Sequence, residues 1–195
     1  MTAVVLFHSV LGVRQGVLDA AERLRQHGHE VVAPDLYDGR TFDEYPPAMA
    51  FAWEEVGPGT LMRRAVEAVE GLPDGFVVAG FSLGCIMALR VATERPVAGL
   101  LMLSGAVPLA ALGSDATWPA GVDGQTHSTL DDPWREQEEI DQAVRDAAAA
   151  GGTLEVFDYP GSGHLFTDST LPDEYDPVAT EKLWERVLAF VQARG

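Results

Sequence analysis

Two hydrophobic patterns alternate along the chain. In one, four to seven apolar and often β-branched residues run together; in the other, apolar positions recur every three or four residues. The first suits strands covered on both faces, and the second suits helices with one buried side. Residues 2–8, TAVVLFH, are of the first kind. After a loop through His8-Ser9-Val10-Leu11-Gly12, the spacing of Val13, Val17, Ala21 and Leu24 predicts a helix that Gly28 ends. A short strand over 30–33 follows, stopped by Pro34. Strand, helix and strand in such close succession form a βαβ unit, which implies a parallel sheet.

The alternation continues. Thr60 is placed to cap a helix bearing Leu61, Ala65, Val66 and Val69, and an apolar strand at 76–79 runs into another helix. Residues 97–103 form a near-continuous apolar strand, 105–120 a loop, and 122–127 a weaker strand. A helix over about 136–150, closed by Gly151-Gly152, precedes a last strand at 153–159. Asp176-Pro177 reads as the cap and first position of a C-terminal helix with Val178, Trp184, Val187, Leu188 and Val191 inward. Residues 34–59 stand apart: loop-rich, with four prolines, two tyrosines and a tryptophan. Long loops at the carboxyl ends of parallel strands shape ligand sites. The expected architecture is α/β, a mostly parallel sheet with helices on both faces, in one domain spanning 1–195.

The most informative stretch is Gly80-Phe81-Ser82-Leu83-Gly84, between an apolar strand and a helix. G-x-S-x-G in that context is a nucleophile elbow. The turn is so tight that its central residue is strained, and side chains two positions away would strike neighbouring backbone. Gly80 and Gly84 meet that demand, and Ser82 would sit at a helix start, where free N–H groups favour developing negative charge.

Composition narrows the function classes. The 195 residues carry a net charge of −17, which argues against nucleic acid and anionic membrane surfaces as partners. The 47% apolar and 22% charged content is that of an ordinary globular chain. A lone cysteine, Cys85, excludes an intrachain disulfide and suits a reducing compartment. With no apolar run of membrane-spanning length and no basic leader, a cytoplasmic protein is expected. Composition says nothing about oligomeric state.

A serine hydroxyl needs a base to take its proton and a carboxylate to orient that base. Downstream of Ser82 come the Asp131/Asp132 pair and then His164, within a Gly-Ser-Gly-His loop after the last strand. Only one of the two aspartates can face the histidine, and Asp158 and Asp168 are more distant candidates. His8 and His127, at strand ends, suit structural hydrogen bonding, and His27 and His29 suit solvent. An oxyanion hole needs two N–H donors. The Leu83 N–H supplies one, and the loop after the first strand supplies the other, most simply from Val10. Tyr37, Trp53, Trp118 and Trp134 are candidates for lining an apolar pocket.

With these stretches in view, the chain resembles the dienelactone hydrolase family of α/β-hydrolases. The likeness rests on VVLFHSVLG, VVAPDLYDGR, AGFSLG, DDPW and YPGSGHLFTD, spread over nearly its whole length. It implies a Ser82, Asp132 and His164 triad, Val10 and Leu83 as oxyanion donors, substrate contacts from Ser9, Tyr37 and Trp134, and no metal or organic cofactor. Three positions depart from the family pattern: serine replaces cysteine at the elbow, Ser9 stands where relatives carry a glutamate, and Asp168 occupies the place of a carboxylate-binding arginine. A small neutral ester, lactone or thioester is therefore the expected substrate. The antiparallel strands that many relatives carry ahead of the first parallel strand are not represented. The rival from another class is a non-catalytic binding or regulatory protein on the same fold. A nucleotide-binding domain lacks its Gly-rich loop, and a metal hydrolase lacks H-x-H or H-E-x-x-H spacing.

Overall fold

A computed structural model describes all residues, 1–195. Six strands, β1 (Ala3–Phe7), β2 (Glu30–Val32), β3 (Phe76–Phe81), β4 (Val97–Leu103), β5 (Gly124–Thr129) and β6 (Leu154–Tyr159), form one sheet in the order β2-β1-β3-β4-β5-β6. Every pairing is parallel. β1 and β3 are central and almost wholly buried, which is why they read as unbroken apolar runs. The outer β6 is more exposed, with Glu155, Val156 and Asp158 open to solvent on one side or the other.

Six α-helices complete the fold: α1 (Gln15–Gln26), α2 (Tyr45–Ala50), α3 (Pro58–Glu67), α4 (Leu83–Glu94), α5 (Gln137–Ala149) and α6 (Pro177–Gln192). The strand order decides which face each covers. The β1-to-β2 connection moves one way across the sheet, and those from β2 onward move the other. Right-handed crossovers therefore put α1 on one face and α3, α4 and α5 on the opposite one. α6 joins α1, where Arg23 pairs with Glu181 at 2.6 Å and lies over the Trp184 ring. The direction reverses between β1 and β3, so the loops leaving their carboxyl ends diverge and open a crevice there.

Side-chain chemistry accounts for the helix ends and faces. Asp176 caps α6, its carboxylate accepting from the Val178 and Ala179 N–H groups at 2.8 and 2.9 Å. The face that α6 buries carries Ala179, Leu183, Trp184, Val187, Phe190 and Val191. Each large side chain among them contributes about 1.5–3 kcal/mol on burial. Val178, expected inward, is instead 63% exposed. As a first-turn residue beside the cap it points away from the sheet, and Leu188 is only partly buried.

Three other expectations shift. The 34–59 segment is not plain loop: α2 continues into a π-helical turn at Phe51–Val56. Pro46 and Pro47 sit in the first turn of α2, where a missing N–H costs nothing, so the prolines there start a helix. α3 begins at Pro58 rather than after Thr60, with Gly57 at its cap. The fifth strand runs on to Thr129, beyond the apolar residues, because its polar side chains are all buried and those of Gln125, Thr126, His127 and Thr129 find partners within the fold. A single cluster of 50 buried residues joins both layers to the sheet. No helix is long and apolar enough to cross a membrane.

Candidate active site

The crevice between β1 and β3 holds Ser82. Its backbone, at φ 51° and ψ −114°, is in the left-handed half of conformational space that a non-glycine residue rarely adopts. The elbow closes so tightly that a Cβ at Gly80 would run into the Gly84 carbonyl, and one at Gly84 would lie 2.6 and 2.7 Å from the Phe7 and His8 oxygens. Both glycines are therefore required by close backbone approach. The Ser82 N–H donates to the Leu103 carbonyl at 2.8 Å, tying the turn to β4. Beneath it, the Cys85 thiol donates to the Gly80 carbonyl at 3.2 Å. Burial pushes that thiol up to about 12, so it stays protonated as an inert packing group.

His164 arrives from the loop after β6. Its Nε2 lies 2.7 Å from Ser82 Oγ, and its Nδ1 lies 2.7 Å from Asp132 Oδ2. A carboxylate can only accept, so Nδ1 carries the proton and Nε2 presents a lone pair to the serine hydroxyl. The second Asp132 oxygen accepts from the Trp134 N–H at 2.8 Å, which fixes the carboxylate plane. Asp132 and His164 are both 6% exposed, whereas Asp131 faces solvent. Asp158 is held by Arg135 at 2.9 Å, away from the imidazole.

Three distant segments hold the imidazole. The Trp134 ring stacks on it at 5.0 Å and 28°, and Tyr45 of α2 meets it edge-on at 6.0 Å. Glu174 accepts from the Tyr45 hydroxyl at 2.9 Å and from the Leu165 N–H at 2.6 Å, fastening the backbone beside His164. Burial, with the Glu174 charge next, pushes the Tyr45 phenol up, so it remains a hydrogen-bond donor. Tyr45 and Glu174 carried no signal in the sequence, since neither belongs to a motif and 129 positions separate them.

His8 shapes the opposite wall. The Leu36 N–H donates to its Nε2 at 3.1 Å, so the ring proton is on Nδ1 and donates to the Ser9 carbonyl at 2.6 Å. Burial lowers its basicity, and the neutral ring pins the loop carrying Val10. The Val10 N–H has no acceptor in the protein. Leu83, as the first residue of α4, has no intrahelical acceptor for its own. Both residues line the cleft at Ser82. His127, by contrast, lies within the sheet layer, 2.8 Å from the Tyr159 hydroxyl, and burial drives it down to about 3.

The cleft measures about 240 Å³ and is lined mainly by apolar side chains, with Met49, Trp53, Ile86, Val107 and Trp134 among them. Of the proposed pocket aromatics, Trp53 and Trp134 are in it. Trp118 is not: it is 4% exposed and donates from Nε1 to the Val122 carbonyl. Tyr37 is likewise elsewhere, 1% exposed and packed edge-on against His8 and Phe51, because its segment turns inward to cover β1. Ser9 lines a separate small cavity with Arg14 and Asp168, and its hydroxyl accepts from the Leu11 N–H at 3.2 Å. Asp168, in that cavity too, lies 3.5 Å from Arg14. Ser104 is an addition to the expected cleft. It directly follows β4, at φ 62°, with a buried hydroxyl that has no partner. Its only sequence signal is a polar residue closing an apolar strand.

A parallel sheet whose strand order reverses beside a serine on a strained strand-to-helix turn defines an α/β-hydrolase. The chain belongs to the dienelactone hydrolase family, whose model matches residues 1–194, and it is a hydrolase acting on esters or lactones. It is 28% identical over 206 aligned residues to a carboxymethylenebutenolidase of Rhodococcus opacus, covering 97% of this chain and 80% of that protein. Among solved structures, a dienelactone hydrolase-like promiscuous phosphotriesterase from metagenomic libraries superposes with a TM-score of 0.79 at 18% identity, over 100% of this chain and 87% of that one. A metagenome-derived lipolytic enzyme gives a TM-score of 0.67 at 17% identity, over 98% and 94%.

Proposed function

We propose that the protein is a serine hydrolase that cleaves a small ester, lactone or thioester bearing no negative charge, through an acyl-enzyme on Ser82. The observation that carries this reading is the continuous relay from Ser82 Oγ to His164 to Asp132, each link 2.7 Å. Ser82 Oγ attacks the carbonyl carbon as its proton passes to His164 Nε2. The Val10 and Leu83 N–H groups receive the charge that develops on the carbonyl oxygen. As the tetrahedral intermediate collapses, the bond to the leaving oxygen or sulfur breaks and His164 returns the proton to it. A water then repeats the sequence on the acyl-enzyme, releasing the acid and restoring Ser82. Asp132 keeps the imidazole in the tautomer this needs and balances its transient charge.

Absence of any arginine or lysine from the cleft supports a substrate without a carboxylate. The test is hydrolysis of a chromogenic short-chain ester series by wild type and Ser82→Ala. Turnover should fall by about 10³-fold or more in the variant. A fluorophosphonate should label the wild type at Ser82 alone. Equal turnover by both proteins would refute the mechanism.

A further inference from the structure

We propose that the cleft at Ser82 selects, among such substrates, those carrying a permanent cation, with an alkylammonium group held by the Trp53 and Trp134 indoles and the Glu139 carboxylate. This rests on the reading of Ser82 as the nucleophile and adds the chemical class of the group bound beside it.

Four observations converge. Trp53 and Trp134 are 41% and 42% exposed, two of only ten large hydrophobic residues in the chain so exposed, and both line this one cleft. Trp134 stacks on His164 and meets the Tyr45 ring at 4.9 Å, and the 42% of its surface that remains exposed is what it offers to a ligand. Indole surfaces carry the strongest quadrupole among side chains and attract weakly hydrated cations. Glu139 is the one acidic residue of the cleft lining, and its carboxylate makes no ion pair or hydrogen bond within the protein. An acid in the first turn of α5 favours the helix dipole, which accounts for its position along the helix but not for its facing the cleft. Finally, no arginine or lysine lines the cleft, and the net charge of −17 raises the local concentration of cations around the molecule. An anionic substrate would meet repulsion with no compensating partner. A neutral one would leave Glu139 unused, and a cationic one satisfies both the carboxylate and the indoles.

The test compares butyrylcholine with 3,3-dimethylbutyl butyrate, which has the same shape with carbon in place of the charged nitrogen. Binding to Ser82→Ala is followed by tryptophan fluorescence, so affinity is read without turnover; the ratio of kcat/KM for the two esters in wild type is a second, independent measure. The choline ester should bind about tenfold more tightly. That preference should shrink as salt is raised and fall severalfold in Glu139→Gln. Equal affinities, a tighter isostere, or no saturable binding of either ester would overturn the proposal. Preferential binding of the choline ester with no hydrolysis of either by wild type would uphold the cation site and count against Ser82 as nucleophile.

Discussion

Asp131 and Asp132 are adjacent and chemically identical, yet only one faces His164. Asp132 is buried and divides its two oxygens between the imidazole and the Trp134 N–H, while Asp131 is turned to solvent. Replacing Asp132 with Asn should leave the geometry nearly intact and lower kcat by about 10²–10⁴-fold, because an amide can present its NH₂ to Nδ1 and favour the wrong tautomer. Asp131→Asn should change kcat by less than about threefold. Steady-state kinetics on a single ester separate the two, and equal losses would refute the assignment of Asp132. Ser104 illustrates the opposite case. A non-glycine residue at φ 62° with an orphaned hydroxyl is locally unfavourable, and both features lie against the cleft, where strained backbone tends to gather.

At the scale of elements, the elbow and α6 show two ways a sequence enforces a boundary. The elbow works by exclusion, since any side chain at Gly80 or Gly84 would collide with backbone. α6 works by satisfaction: the Asp176 carboxylate takes up two of the N–H groups that the first turn leaves free. Asp176→Ala should therefore destabilise the protein by about 1 kcal/mol in urea denaturation, with catalysis unchanged at temperatures where the fold is intact. Loss of activity without loss of stability would mean that α6 bears on the site in a way its capping does not explain. The 45–56 helical segment is an element of another kind. It delivers Tyr45, Met49 and Trp53 to the site, so the excursion after β2 builds one wall of the cleft.

For the molecule as a whole, stability should depend on two buried neutral histidines. Burial lowers the basicity of both His8 and His127, the latter to about 3. Between that value and the unfolded histidine range near 6.5, the unfolded chain binds more protons than the native one, so stability rises with pH there. Conversely, the contribution of a neutral buried His127 is fully present above about 6.5 and is lost at up to about 1.4 kcal/mol per pH unit as the pH falls below it. Acidic side chains titrate in the same range, so the informative quantity is a difference. Relative to wild type, His127→Gln should lose its stability deficit by about 1 kcal/mol between pH 7.5 and pH 5.5, measured by urea denaturation. A deficit independent of pH would show that His127 does not change protonation on unfolding.

Periodicity, glycine placement and chain order were enough to read the alternating strands and helices, the parallel sheet, the elbow at Ser82 and the downstream His164 from the sequence. These features depend on local sterics and on repeats a few residues long, which the one-dimensional chain displays directly. The choice of Asp132 over Asp131 was available only through family likeness. Other features depended on tertiary packing: Tyr37 and Trp118 turned inward, Ser9 faced a separate cavity, and Val178 faced solvent. Aromatic residues look alike in sequence whether they line a cleft or fill a core, because what distinguishes them is the neighbouring surface. For the same reason the Tyr45–Glu174 clamp, the orphaned Ser104 hydroxyl and Glu139 at the cleft were invisible until the fold brought distant segments together. Short-range sterics are written in the sequence, whereas the surroundings of a side chain come into being only when remote parts of the chain meet.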